Sequence, residues 1–155
     1  MTRFVRRHTL VSAALVAAAA TATAQSKPDF SGRWVYVSPE AAAGQEQTIT
    51  QTETTLTTGH ASEGGGHHAT YRLDGTESRN VMASHGQEIV SVSKATWDGE
   101  RLVISTSTTY PDGRRLESKH VWSLDAQQRL VIDSTETIAA RPARTSRAVL
   151  TRKQQ

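Results

Sequence analysis

From Ile89 onward, apolar and polar residues alternate one for one, and each alternating run ends at a turn signal. A period of two sends successive side chains to opposite faces of an extended chain, so these runs read as half-buried β-strands rather than amphipathic helices. Asp98-Gly99, Pro111-Asp112-Gly113 and Asp125-Ala126-Gln127-Gln128 separate the runs Arg101–Tyr110, Arg114–Leu124 and Arg129–Thr137, with a final strand at Arg147–Arg152. An Asp-Gly pair suits a tight hairpin because glycine takes a positive φ without steric cost. Asp74-Gly75 is a further turn of this kind. The earlier half predicts strands at Arg33–Val37, Thr48–Thr58 (with room for an interruption), Thr70–Leu73 and Asn80–Ala83.

The expected fold is all-β, an antiparallel up-and-down meander of eight or nine strands. So many sequential strands remove their exposed edges most simply by closing into a barrel. Pro39-Glu40-Ala41-Ala42-Ala43 is expected to begin a short helix that plugs one end before Gly44 stops it.

Composition bears on what such a barrel can hold. After Gln25 the large apolar and aromatic residues comprise one Phe, three Trp, three Tyr, one Met and 21 Leu, Ile and Val. Nearly all are needed for packing, which leaves little to line a wide apolar cavity. Ser and Thr are plentiful instead, which suits solvent-facing strand surfaces and a partly polar interior. With no Cys in the chain, disulfides, thiolate metal sites and cysteine nucleophiles are excluded.

The N-terminus has the pattern of an export signal. Arg3, Arg6 and Arg7 precede the uncharged stretch Thr9–Ala20, and Ala22-Thr23-Ala24 offers small residues for cleavage before Gln25. The stretch is too short for a permanent spanning helix, which needs roughly 20 apolar residues. Residues 1–24 are thus expected to be a cleaved signal peptide, residues 25–155 a single barrel domain, and the location periplasmic or secreted. Arg6-Arg7 loosely resembles the twin-arginine motif, so the sequence leaves the export route open. Of 18 basic residues, three belong to the signal, which leaves 15 against 15 acidic ones. A neutral mature chain does not suggest a nucleic-acid partner.

Ser31-Gly32-Arg33-Trp34 resembles the Gly-x-Trp element of lipocalins and related calycin barrels. Phe30-Ser31-Gly32, Leu73-Asp74-Gly75-Thr76-Glu77, Trp97-Asp98-Gly99 with Leu102-Val103-Ile104, and Trp122-Ser123-Leu124 are similar to a family of small exported bacterial lipocalin-like domains without assigned activity. The similarity covers most of the mature chain, and Ala126 departs from it where Gly is expected. It implies structural roles for Gly32 and Trp34, with an arginine of the last strand, Arg147 or Arg152, packed across the indole.

If Trp34 points inward, so do Tyr36, Tyr71, Tyr110, His120 and Trp122, and these are the candidate ligand-binding residues. His60, Glu63, His67 and His68 are expected in the glycine-rich loop Gly59–Ala69, with His85 returning to the same end of the meander, but their spacing matches no established ligand pattern, so no metal and no cofactor is assigned. The run Ile138–Lys153, with Arg141, Arg144, Arg147, Arg152 and Lys153, reads as edge protection or as a weak attractor of anions. The nucleophile elbow, the paired-histidine zinc helix and the phosphate loop are all missing, so no catalytic residue is assigned. The expectation is a non-catalytic binder of a small amphipathic or polar molecule in the barrel mouth. The alternative is an interaction or envelope-associated module with a filled barrel. Cavity volume separates the two. The sequence leaves oligomeric state open.

Overall fold

The computed structural model describes residues 26–60, 67–84, 86–139 and 141–154. It is an all-β antiparallel meander of ten strands, in a nearly closed barrel: β1 (Gly32–Ser38), β2 (Glu46–Gln51), β3 (Thr55–His60), β4 (His67–Arg72), β5 (Glu77–Ser84), β6 (Gln87–Asp98), β7 (Arg101–Thr109), β8 (Arg115–Leu124), β9 (Leu130–Ile138) and β10 (Arg144–Arg152). The order in the sheet is β4-β3-β2-β1-β10-β9-β8-β7-β6-β5. First and last strands therefore pair, with Trp34 opposite Arg152 and Tyr36 opposite Leu150.

Ten strands form rather than eight or nine because the Thr48–Thr58 stretch folds back on itself. The Thr52 hydroxyl accepts hydrogen bonds from the amides of Thr54 (3.3 Å) and Thr55 (3.0 Å), which caps a tight turn between β2 and β3. Residues 40–42 make a single 3-10 turn with no buried side chain, so the expected helix does not plug the barrel. A single turn between Pro39 and Gly44 has too little length to cover an opening.

The ribbon's two ends, β4 and β5, lie side by side without a direct backbone ladder. Side chains bridge them instead. The Thr70 amide donates to Asn80 Oδ1 (2.8 Å), Asn80 Nδ2 donates to the Thr70 carbonyl (3.1 Å), and the Arg72 amide donates to Ser78 Oγ (2.7 Å). A carboxamide standing between two strands satisfies both margins but holds them farther apart than a ladder does, leaving a slot in the wall.

Inside the barrel, polarity changes rung by rung. Trp97, Leu102, Trp122, Ile132 and Ala148 face one another across five strands. One step along come Ala95, Ile104, His120, Ser134 and Ser146, and one step further Ser93, Thr106, Ser118, Glu136 and Arg144. The apolar core therefore fills only one end, where Phe30, Trp34, Ile49, Leu56, Leu102, Leu130 and Leu150 are fully or almost fully buried. Phe30 stacks on Trp97 (centroids 6.0 Å apart) and meets Trp122 edge-on (5.9 Å).

Trp34 closes that end. Its indole nitrogen donates to the Phe30 carbonyl (2.9 Å), and the Arg152 guanidinium lies 4.5 Å from its ring centroid. Arg152 also donates to the carbonyls of Ser31 and Asp29. Gly32, at φ +139°, makes this packing possible: a Cβ there would sit 3.0 Å from Arg152 Nη1. Arg147 does not take the covering role. It lies on the outer face in a two-pronged pair with Asp133 (2.6 and 2.9 Å), because side chains alternate between faces along a strand and Arg147 shares the parity of Val149, not of Leu150 and Arg152.

Candidate functional site

The polar rungs enclose a hollow of about 310 Å3 at the open end of the barrel. Its wall on β6 and β7 is built from hydroxyl pairs, Ser91 with Thr108 (3.0 Å) and Ser93 with Thr106 (2.8 Å). Each pair satisfies its own polar atoms, so the hydroxyls are tolerated indoors and keep lone pairs and rotatable protons for a guest. Ser118 and Glu136 continue the wall on β8 and β9, and Thr58, Ala69, Tyr71 and Asn80 face it from β3, β4 and β5.

Four imidazoles border the hollow, those of His60, His67, His68 and His120. His120 Nδ1 is 2.8 Å from Ser134 Oγ, its register partner on β9, which leaves Nε2 free to meet a ligand. Burial lowers the His120 pKa, opposed by the nearby Glu136 carboxylate. His60 is also lowered, by burial first and by His67 second. Both rings therefore favour the neutral form, in which one nitrogen donates and the other accepts. Burial raises the pKa of Tyr71, whose phenol hydrogen-bonds with Thr58. Among the described residues of the lining, Glu136 is the only acidic side chain, and no Lys or Arg is present.

No protein-family model matches the chain, and no curated protein matches it. The site is therefore read from its own geometry.

Of the expected ligand-binding residues, Tyr71 and His120 line the hollow. Tyr36 points inward but is engaged elsewhere. Its hydroxyl meets Gln47 Oε1 (3.1 Å), its ring leans on His60 (6.3 Å between centroids), and burial raises its pKa. Trp122 lies below the site in the apolar core, 5% exposed, one rung deeper than His120. Tyr110 sits at the β7–β8 turn beneath the Arg114 guanidinium (5.2 Å), outside the lining.

His60, His67 and His68 stand on β3 and β4 rather than in a loop, whereas Glu63 and His85 lie outside the described residues. Arg141 and Arg144 border a neighbouring hollow of about 410 Å3 at the β9–β10 hairpin, which shares Glu136 with the barrel cavity.

The hydroxyl wall escaped sequence reasoning for a physical reason. On β6, Val90 and Val92 alternate with Ser91 and Ser93, and hydropathy alone would turn the valines inward. Ala95 and Trp97 share the parity of the serines and belong to the core, so they commit the whole strand to the opposite choice.

Proposed function

We propose that the chain is an exported, non-catalytic binding protein that holds a small polar or amphipathic molecule in the open half of a lipocalin-like barrel. One observation carries this reading: a hollow of about 310 Å3 walled by hydroxyl pairs, four imidazoles and a phenol above an apolar floor. That volume suits a metabolite-sized guest. A wall in which burial holds His60 and His120 toward the neutral form, with one carboxylate and no Lys or Arg, favours a neutral or weakly basic molecule with several hydrogen-bonding groups, and disfavours an anion.

Val81 and Met82, 45% and 38% exposed, border the hollow at the slot between β4 and β5 and offer purchase to an apolar portion of the guest. A module that works through its outer surface alone would have no use for such a hollow. The non-catalytic reading rests on Ser134: this partner of His120 lies mid-strand, paired on both sides by β8 and β10, so nearby amides are committed to ladders rather than to an oxyanion site. The signal-like residues 1–24 support export to the periplasm or beyond.

Native mass spectrometry of protein recovered from the periplasm tests the reading. The expected result is a bound mass of a few hundred daltons, lost from a Tyr71→Phe, His120→Gln double variant whose circular dichroism is unchanged. Protein with no bound mass that also fails to retain any compound from a neutral metabolite library would overturn it.

A further inference from the structure

Two of the histidines acquire a relationship that the sequence did not disclose. His60, the last residue of β3, and His67, the first of β4, are direct register partners in an antiparallel pair. Partners of this kind have Cβ atoms about 4.5–5.5 Å apart and project from the same face of the sheet. That face is the inner one: His60 shares the parity of the buried Leu56 and Thr58, and both imidazoles line the barrel hollow. His68 also reaches the lining of the hollow, but its side chain leaves the strand on the opposite face, where its ring lies so close over Gly59 that a Cβ there would come within 2.8 Å of it.

We propose that His60 and His67 form a two-imidazole clamp for a divalent transition ion of the borderline class, Cu2+, Ni2+ or Zn2+, at the rim of the cavity. Imidazole nitrogen is the natural ligand for these ions and unsuited to Mg2+ or Ca2+. Both ligands belong to a formed ladder, so backbone pairing holds them together before an ion arrives. The Tyr36 ring leans on the His60 ring, with 6.3 Å between centroids. Two protein ligands leave coordination positions for water, directed into the hollow. The ion would thereby add a Lewis-acidic contact to a cavity that lacks basic side chains.

The test is titration of untagged protein with CuCl2, NiCl2 and ZnCl2 by isothermal calorimetry, with MgCl2 as the comparison. One equivalent of Cu2+ or Ni2+ is expected to bind tighter than about 100 μM. His67→Gln is the decisive variant, because this side chain is exposed and its loss leaves the core intact. It should weaken binding at least tenfold, as should His60→Gln, with folding checked by circular dichroism. His68→Gln should stay within twofold of the parent. No saturable uptake by the parent protein, equal affinity in the His67→Gln variant, or loss of binding in His68→Gln alone would each overturn the proposal. Retention of an organic guest is read separately by mass, so failure of the clamp does not decide the cavity reading.

Discussion

Replacing Arg152 with Ala removes three contacts at the closed end of the barrel: the guanidinium over Trp34 at 4.5 Å and the donations to the carbonyls of Ser31 and Asp29. The cation–π contact contributes about 1 kcal/mol where one face is wet. Each charge-assisted hydrogen bond adds about 0.5–1 kcal/mol once exposure is discounted. Arg152→Ala should therefore cost about 2–3 kcal/mol, which for a domain of this length lowers Tm by roughly 6–10 °C. In urea the midpoint should drop by about 1 M with m unchanged. Arg147→Ala, which breaks only an exposed pair with Asp133, should cost less than about 1 kcal/mol. Lys at position 152 should recover less than half of the loss, because it keeps the charge but not the planar fork. Gly32→Ala adds an independent check. Part of its cost is the 3.0 Å approach to Arg152 Nη1, and that part should vanish when Arg152 is already Ala, giving a coupling of about 1 kcal/mol. Equal costs at positions 147 and 152, or no coupling between 32 and 152, would refute the assignment of Arg152 as the clasp of this end.

Further expectations follow from single residues. Gln128 holds φ +59° in the β8–β9 turn, so Gln128→Gly should stabilise by about 0.5–1 kcal/mol in urea melts, whereas Ala126→Gly, at an ordinary φ, should destabilise by about 0.5 kcal/mol. Trp97 buries an indole N–H that has no partner among the described residues, so Trp97→Phe should cost under about 1 kcal/mol. Trp34→Phe, which strands the Phe30 carbonyl, should cost about 2–3 kcal/mol in the same melts. Trp122→Ala should unfold the barrel by about 3–5 kcal/mol rather than act selectively on a guest. Because burial depresses His120 and His60, the unfolded chain takes up protons first as pH falls through about 6.5, so stability should decline from pH 7.5 to 5.5. His120→Gln should reduce that slope. A second decline should appear below about pH 4, where Asp29, Asp74, Asp112, Asp125 and Asp133, all depressed by hydrogen bonds in the folded state, lose their charge.

Local chemistry made much of the architecture legible. Alternation from Ile89 to Thr137 and the turns at Asp74-Gly75, Asp98-Gly99 and Asp112-Gly113 depend on neighbours in the chain, and all appear where expected, with Gly75, Gly99 and Gly113 at positive φ. The Asp125 turn is instructive. The resemblance places the missing glycine at Ala126, yet the left-handed residue is Gln128, and Asp125 compensates by accepting from the amides of Gln127 and Arg129. Thr52 likewise reads as a strand former but caps a turn, since a hydroxyl that reaches a backbone amide competes with the ladder.

By itself, then, the amino-acid order determined that this chain makes antiparallel ribbons, where most of them turn, and that its interior had too few large apolar residues to be oily throughout. Only the tertiary structure decided which face of each ribbon turned inward: Ser91 and Ser93 sit indoors because Ala95 and Trp97 on the same strand are held in the core. It also brought His60 against His67, Arg152 over Trp34 and Asn80 into the slot beside Thr70. Those pairings depend on register and closure, which arise from the packing of all the strands at once and leave no local trace in any one of them.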